Sequence, residues 1–240
     1  MARVLGPSAD ATEVSRRVRD MFRNYGKYVV DLLWMPRASL HDLEGSFQIV
    51  GLDHVEQAIG RGRGLVMITA HLGNSDLGAA ILAHKGFAVS AIVETLRPLR
   101  WNERVQRIRE QVGVQAIPLE DGARDMFAAL RANHILGVLI DRPLATDGVP
   151  VRFFDAMTRV PEGAARLAMR TGAGVVAVGV VRRGRQFVAH VSPLLELEPS
   201  GDRARDTQEL TQRAVDWLEA VIRQYPDQWF MFRDMWPKEA

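Results

Sequence analysis

The stretch Leu65–Leu77, LVMITAHLGNSDL, constrains the fold more than any other. Leu65 to Ala70 is short and almost continuously apolar, so it reads as a strand buried on both faces rather than one with a wet side. It runs into His71, then into Gly73-Asn74, residues suited to a turn. From Ser75 to His84 a small-residue helical pattern follows. A strand of this kind passing directly into a helix belongs to a parallel sheet covered on both faces.

The rest of the chain repeats the theme. Ala88–Val93, Gln115–Pro118, Ile135–Ile140 and Val175–Val181 read as further strands, the last paired with Gln186–Val191 around the Arg182–Arg185 turn. Phe47–Val50 is a short strand and Val149–Phe154 is extended. Helices are expected over His54–Arg61, Asn102–Val112, Gly122–Asn133, Pro161–Thr171 and Asp206–Gln224. The fold class is therefore α/β, a mostly parallel central sheet with helices on both faces, in a single domain spanning residues 1–240. Gly60, Gly62 and Gly64 resemble half a dinucleotide fingerprint but precede a strand instead of following one, so the match is discarded.

Before the first strand, residues 11–35 form a long amphipathic helix with Asp10 as its N-cap. Val14, Val18, Met21, Phe22, Tyr25, Val29, Leu32 and Leu33 recur at three-and-four spacing, and Arg16, Arg17, Arg19, Arg23 and Lys27 occupy the other positions. Such a helix either packs its apolar stripe on the core or lies on an anionic membrane surface. Pro36 ends it.

Several function classes drop out. A net charge of +2 gives no bulk drive toward nucleic acid. With no cysteine there is no disulfide, thiolate metal site or cysteine nucleophile. His41, His54, His71, His84, His134 and His190 show no metal-binding spacing, so no metal is expected. No apolar run approaches the roughly 18 residues of a membrane span, and no signal-peptide pattern opens the chain.

His71, Glu94 and Asp141 fall at the carboxyl ends of three strands, where such sheets bind ligands. His71 and Asp76, five apart, lie about 140° apart on a regular helix. They can meet only if His71 sits on the strand-to-helix turn and Asp76 in the first helical turn. Asp76 would then fix the imidazole tautomer, leaving the other ring nitrogen as a base. Free N–H groups at Gly73 and Asn74 would receive developing negative charge. Gly73-Asn74-Ser75-Asp76-Leu77 fails the G-x-S-x-G pattern of a serine elbow. A His–Asp pair with no protein nucleophile suits direct activation of a substrate hydroxyl. The plainer alternative is a satisfied histidine at a strand end and a carboxylate at a helix start.

AHLGNSD also resembles the H-x4-D/E motif of the lysophospholipid acyltransferase superfamily, in its branch of bacterial lipid A biosynthesis (lauroyl/myristoyl) and phosphatidylinositol mannoside acyltransferases. The resemblance runs from about Val18 to Pro237. It includes IVETLRPLRWNERVQRIREQVG at 92–113, GVLIDRP at 137–143, VRFFDAMTRVPEGAARLAMRTGA at 151–173 and QWFMFRDMWP at 228–237. It implies a glycerol-3-phosphate acyltransferase-like fold. It also implies fatty-acyl transfer from acyl-CoA or acyl carrier protein, as co-substrate with no further cofactor, to a hydroxyl of a glycolipid or lysophospholipid. His71 would act as base and Asp76 as its orienting partner. Glu94, Arg109, Asp141 and Arg142 match family positions and would contact substrate, with ion pairing to Glu94 or Asp141 as the alternative for the arginines. The tail aromatics Trp229, Phe230, Phe232 and Trp236 would divide between core and a membrane-interface belt. The resemblance places the protein peripherally on the cytoplasmic face of the cell membrane. A thioesterase using the same dyad on water is the rival reading.

Overall fold

The computed structural model describes residues 1–39, 45–120, 122–142 and 148–236. His41, Pro143 and Pro237, which figured in the sequence reading, lie outside these residues. After a single helical turn, α1 (Ala2–Leu5), comes the long helix α2 (Ala11–Trp34). Asp10 caps it by accepting the Glu13 N–H at 2.7 Å, and Pro36 lies in a 3-10 turn directly after it.

A seven-stranded sheet follows: β1 (Phe47–Val50), β2 (Leu65–Gly73), β3 (Val89–Val93), β4 (Val114–Pro118), β5 (Ile135–Leu139), β8 (Gly174–Arg183) and β9 (Gln186–Val191), ordered β1-β9-β8-β2-β5-β3-β4. All neighbours are parallel except β8 and β9, joined by the tight Arg183–Gln186 turn. β6 (Val149–Phe153) and β7 (Ala156–Val160) form a separate antiparallel hairpin. Phe154 and Asp155, both at positive φ, make its two-residue turn. β6 matches the extended stretch expected at Val149–Phe154, whereas β7 is an addition, its alternating AMTRV lacking the apolar run of the central strands.

β2 shows why the middle strands are apolar throughout. Val66, Ile68, Ala70 and Leu72 enter one core, and Leu65 and Met67 enter the other. The second core lies under α2, α3 (Leu52–Gly60), α4 (Ser75–His84) and α5 (Leu99–Gln111). The first lies under α6 (Ala123–Arg131), α7 (Gly163–Thr171), α8 (Arg203–Gln224) and the hairpin. α8 begins at its cap Asp202, a turn before the expected start, because the Asp202 side chain accepts from Ala204 and Arg205 N–H groups.

α2 packs onto this body. Its Met21 and Leu32 are buried, Asn24 and Arg17 reach Asp227, and Asp31 pairs with Arg182. Phe22, Val30 and Trp34 remain more than half exposed. Among the described residues no helix is long and apolar enough to cross a membrane.

Candidate active site

β2 runs to Gly73, three residues beyond the apolar run, with an irregularity between Thr69 and Gly73. His71 is therefore in the strand, not on the turn after it. The C-terminal segment clamps this end of the strand: the Phe230 N–H donates to the His71 carbonyl at 2.8 Å, and Leu72 bridges Trp229. Gly73 allows the exit, since its φ is +61 and a Cβ there would stand 1.8 Å from the Val180 carbonyl oxygen.

The histidine's partner is Asp141, not Asp76. Strand order places β5 beside β2, and Asp141 stands just past the end of β5, 70 residues away in sequence. Its Oδ1 lies 2.7 Å from His71 Nδ1. Its Oδ2 accepts the His71 backbone N–H at 2.8 Å and the Trp229 indole N–H at 2.8 Å. Burial opposes the charge on Asp141, but the His71 imidazole and the hydrogen bonds from His71 and Trp229 outweigh it, leaving the carboxyl below its ordinary range. A carboxylate facing Nδ1 assigns the proton to Nδ1. Nε2 then remains as the acceptor, on a side chain 24% exposed that lines an apolar cavity.

Asp76 opens α4 and turns to the neighbouring helices. Its Oδ1 accepts from Arg109 Nε at 2.8 Å and its Oδ2 from the Tyr28 hydroxyl at 2.7 Å. The expected His71–Asp76 bond is absent because β2 continues through His71 to Gly73, which keeps the histidine in the sheet beside Asp141. Burial pushes the Tyr28 hydroxyl up, and the adjacent Asp76 adds to this. Burial disfavours the Arg109 cation, but Asp76 more than compensates and raises it. Asp76 and Arg109 thus neutralise each other at the cavity wall.

Asn74 is also a correction. Its N–H donates to the Val180 carbonyl at 2.9 Å, and its side chain caps α4 by accepting from Leu77 N–H at 2.9 Å. Its backbone N–H is therefore not left for a substrate, and its side-chain NH2 turns to Asp31 at 3.4 Å. Arg142 pairs with Glu94 at 2.9 Å, the alternative weighed for them in the sequence. Of the tail aromatics, Trp229 and Phe230 are buried while Phe232 is 45% exposed and stacks on Phe22 at 5.3 Å. Neither Tyr28 nor the indole of Trp229 was singled out as a site residue. Tyr28 falls between the expected stripe positions Tyr25 and Val29 of α2, and Trp229 carries only a core or belt reading.

The cavity has a volume of about 590 Å³, within the range of roughly 300–1,000 Å³ usual for small-molecule sites. His71, Gly73, Ser75, Asp76, Glu94, Arg109 and Arg142 all border it, with Met67, Leu82, Ala91, Trp101 and Val105 among its apolar walls. A base held by a buried carboxylate at the mouth of an apolar cavity can deprotonate a hydroxyl beside a long apolar substituent.

The sequence model of the family described as bacterial lipid A biosynthesis acyltransferase matches residues 1–238. A phosphatidylinositol mannoside acyltransferase of Mycolicibacterium smegmatis is 30% identical over 241 residues, covering 98% of this chain and 77% of that protein. One from Mycobacterium tuberculosis is 31% identical over 242 residues, covering 98% and 75%.

Proposed function

The chain belongs to the bacterial lipid A biosynthesis acyltransferase family, and from that premise we propose a mechanism in which His71 is the base and Asp141 its partner. The donor is a fatty-acyl thioester of coenzyme A or of acyl carrier protein. The acceptor is a hydroxyl of a phosphate-bearing glycolipid of the phosphatidylinositol mannoside type. His71 Nε2 takes the hydroxyl proton as the oxygen attacks the thioester carbonyl. The tetrahedral intermediate collapses, the C–S bond breaks, and the departing sulfur takes that proton from His71 as thiol. Asp141 keeps Nδ1 protonated and stabilises the transient imidazolium. The opening N–H groups of α4, at Ser75 and Asp76, suit the developing oxyanion. Asp76 and Arg109, with Tyr28, hold the wall beside them.

The observation that carries this reading is the hydrogen-bonded His71–Asp141 pair at the edge of the apolar cavity. The exposed Phe22, Val30, Trp34 and Phe232, with Arg19, Arg23 and Lys27 on the same helix as the first three, favour peripheral attachment to an anionic membrane surface. His71→Ala should abolish acyl transfer while the protein still folds cooperatively, and full activity in that variant would overturn the reading. Thiol release that proceeds equally with and without lipid acceptor would instead identify a thioesterase.

A further inference from the structure

The cavity that holds His71 is not confined to one face of the sheet. Met67, Ala91 and Trp101 pack with the core under α2, α4 and α5, whereas Ile92, Phe127 and Leu167 pack with the core under α6 and α7. All six line the same cavity. The sheet lets it pass at one place. The β3–β5 ladder ends at Ala91–Gly137. Yet β3 stays paired with β4 to Val93–Pro118, and β5 with β2 to Thr69–Leu139. The two strands part at their carboxyl ends, where strand order inserts β5 between β2 and β3, the switch point at which open sheets accept ligands. The Arg142–Glu94 ion pair spans the parting.

The two arms differ in chemistry. The arm under α4 and α5 is walled by Met67, Leu82, Ala91, Trp101 and Val105, and its charged members, Asp76 and Arg109, already satisfy each other. The arm under α6 and α7 has an apolar floor but is bordered by Glu94, Arg142, Glu162, Arg166 and Arg170. Arg170 lies 5.0 Å over the Phe127 ring and makes no ion pair among the described residues. Arg166, an exposed side chain on half-buried Glu162 at 2.7 Å, also borders a polar surface pocket with Arg159 and Arg205.

We propose, resting on the acyl-transfer reading above, that the thioester donor threads the sheet at this parting. Its carbonyl sits beside His71, its alkyl chain fills the arm under α4 and α5, and its phosphopantetheine lies in the other arm with the phosphate on Arg166 and Arg170. The carbonyl of such a donor joins two chemically opposed halves. The alkyl half needs only apolar contact. The other half carries amides and ends in a phosphate, which guanidinium groups grip in forked geometry. That phosphate is common to coenzyme A and carrier-protein donors. The lipid acceptor then enters from the remaining rim, at Tyr25 and Phe230, next to the exposed aromatics.

The test compares S-palmitoyl phosphopantetheine with S-palmitoyl pantetheine, which lacks only the phosphate, on the wild type and on an Arg166→Gln/Arg170→Gln variant. The wild type should favour the phosphorylated donor by about tenfold or more in kcat/KM, as charge-assisted hydrogen bonds to phosphate imply, and the variant should lose that preference. A variant that keeps the preference, or that loses activity on both donors equally, overturns the proposal. Titration of free coenzyme A gives a readout without turnover: affinity that falls with salt in the wild type and is lost in the variant supports the site, and unchanged affinity overturns it. If the wild type binds coenzyme A through these arginines yet makes no acyl ester, the acyl-transfer reading fails and the phosphate site stands. Competition between palmitoyl-CoA and palmitoyl carrier protein separates the two sources, a nucleotide-dependent gain pointing to the Arg159–Arg205 pocket.

Discussion

Replacing Asp141 with asparagine removes one charge and little volume from the pair that holds His71, and its effect can be worked from the contacts. Oδ2 receives two N–H donors, from the His71 backbone and Trp229, and Oδ1 receives one, from Nδ1. An amide placed with its oxygen at the Oδ2 position keeps the two donors satisfied but points NH2 at Nδ1. The opposite flip leaves two buried donors facing NH2, at about 1–3 kcal/mol each. The first orientation therefore wins, and it drives the ring proton to Nε2, so the nitrogen facing substrate becomes a donor. The comparable change in a serine triad costs roughly 10⁴-fold in kcat, about 5.5 kcal/mol of barrier, and Asp141→Asn should fall by about 10³- to 10⁴-fold. Stability should drop by about 1.5–3 kcal/mol for the lost charge-assisted bond. Its pH dependence has a definite sign. The folded carboxyl lies below its ordinary value, so the unfolded chain binds more protons between the two pKa values. The wild type thus holds this stabilisation above the unfolded value and loses it as pH falls through the folded one, whereas the variant lacks that component of acid sensitivity. Activity can be followed with a thiol-reactive chromogen, since the chain has no cysteine to give a background, and the tautomer by nitrogen-15 NMR of the imidazole. An Asp141→Asn enzyme within tenfold of wild-type kcat would refute the reasoning, as would a tautomer that changes in Asp76→Asn instead.

Gly73→Ala should cost more than 2 kcal/mol in thermal or denaturant melts, since it adds strain at positive φ and a Cβ 1.8 Å from the Val180 oxygen. Arg109→Ala should destabilise by roughly 3 kcal/mol by leaving the nearly buried Asp76 carboxylate with only Tyr28, while Tyr28→Phe should cost about 1 kcal/mol; similar losses in both would show that Arg109 does not carry the site. Trp229→Phe, deleting the 2.8 Å indole bond to Asp141, should lower stability by about 1–3 kcal/mol and shift acid unfolding to higher pH. Removing one methylene from the donor chain should weaken its binding about fourfold, from about 0.8 kcal/mol per buried CH₂, as measured by competition among acyl-CoA lengths; a flat series would exclude the apolar arm.

Much of this protein is written locally. The apolar runs at Leu65–Ala70 and Ile135–Leu139 state that a strand is buried on both faces, because any other placement exposes them to water. Asp10 announces α2, and its caught N–H is a matter of three residues. The tip of the hairpin was missed because Phe154 and Asp155 are unusual at positive φ. His71 could be singled out because a buried strand leads to it. Its partner could not. Asp76 is five residues away and Asp141 seventy, and sequence distance favours the wrong one. Choosing between them requires knowing that β2 continues to Gly73, which depends on the bridge from Leu72 to Trp229 and on Val180. It also requires knowing that β5 inserts between β2 and β3. Local chemistry thus determined which residues form strands, helices and caps, and which carboxylates reach the carboxyl edge of the sheet. Only the order of strands, set by long-range packing of two apolar faces that no short window records, decided which carboxylate meets the histidine and where the sheet opens to let a substrate through.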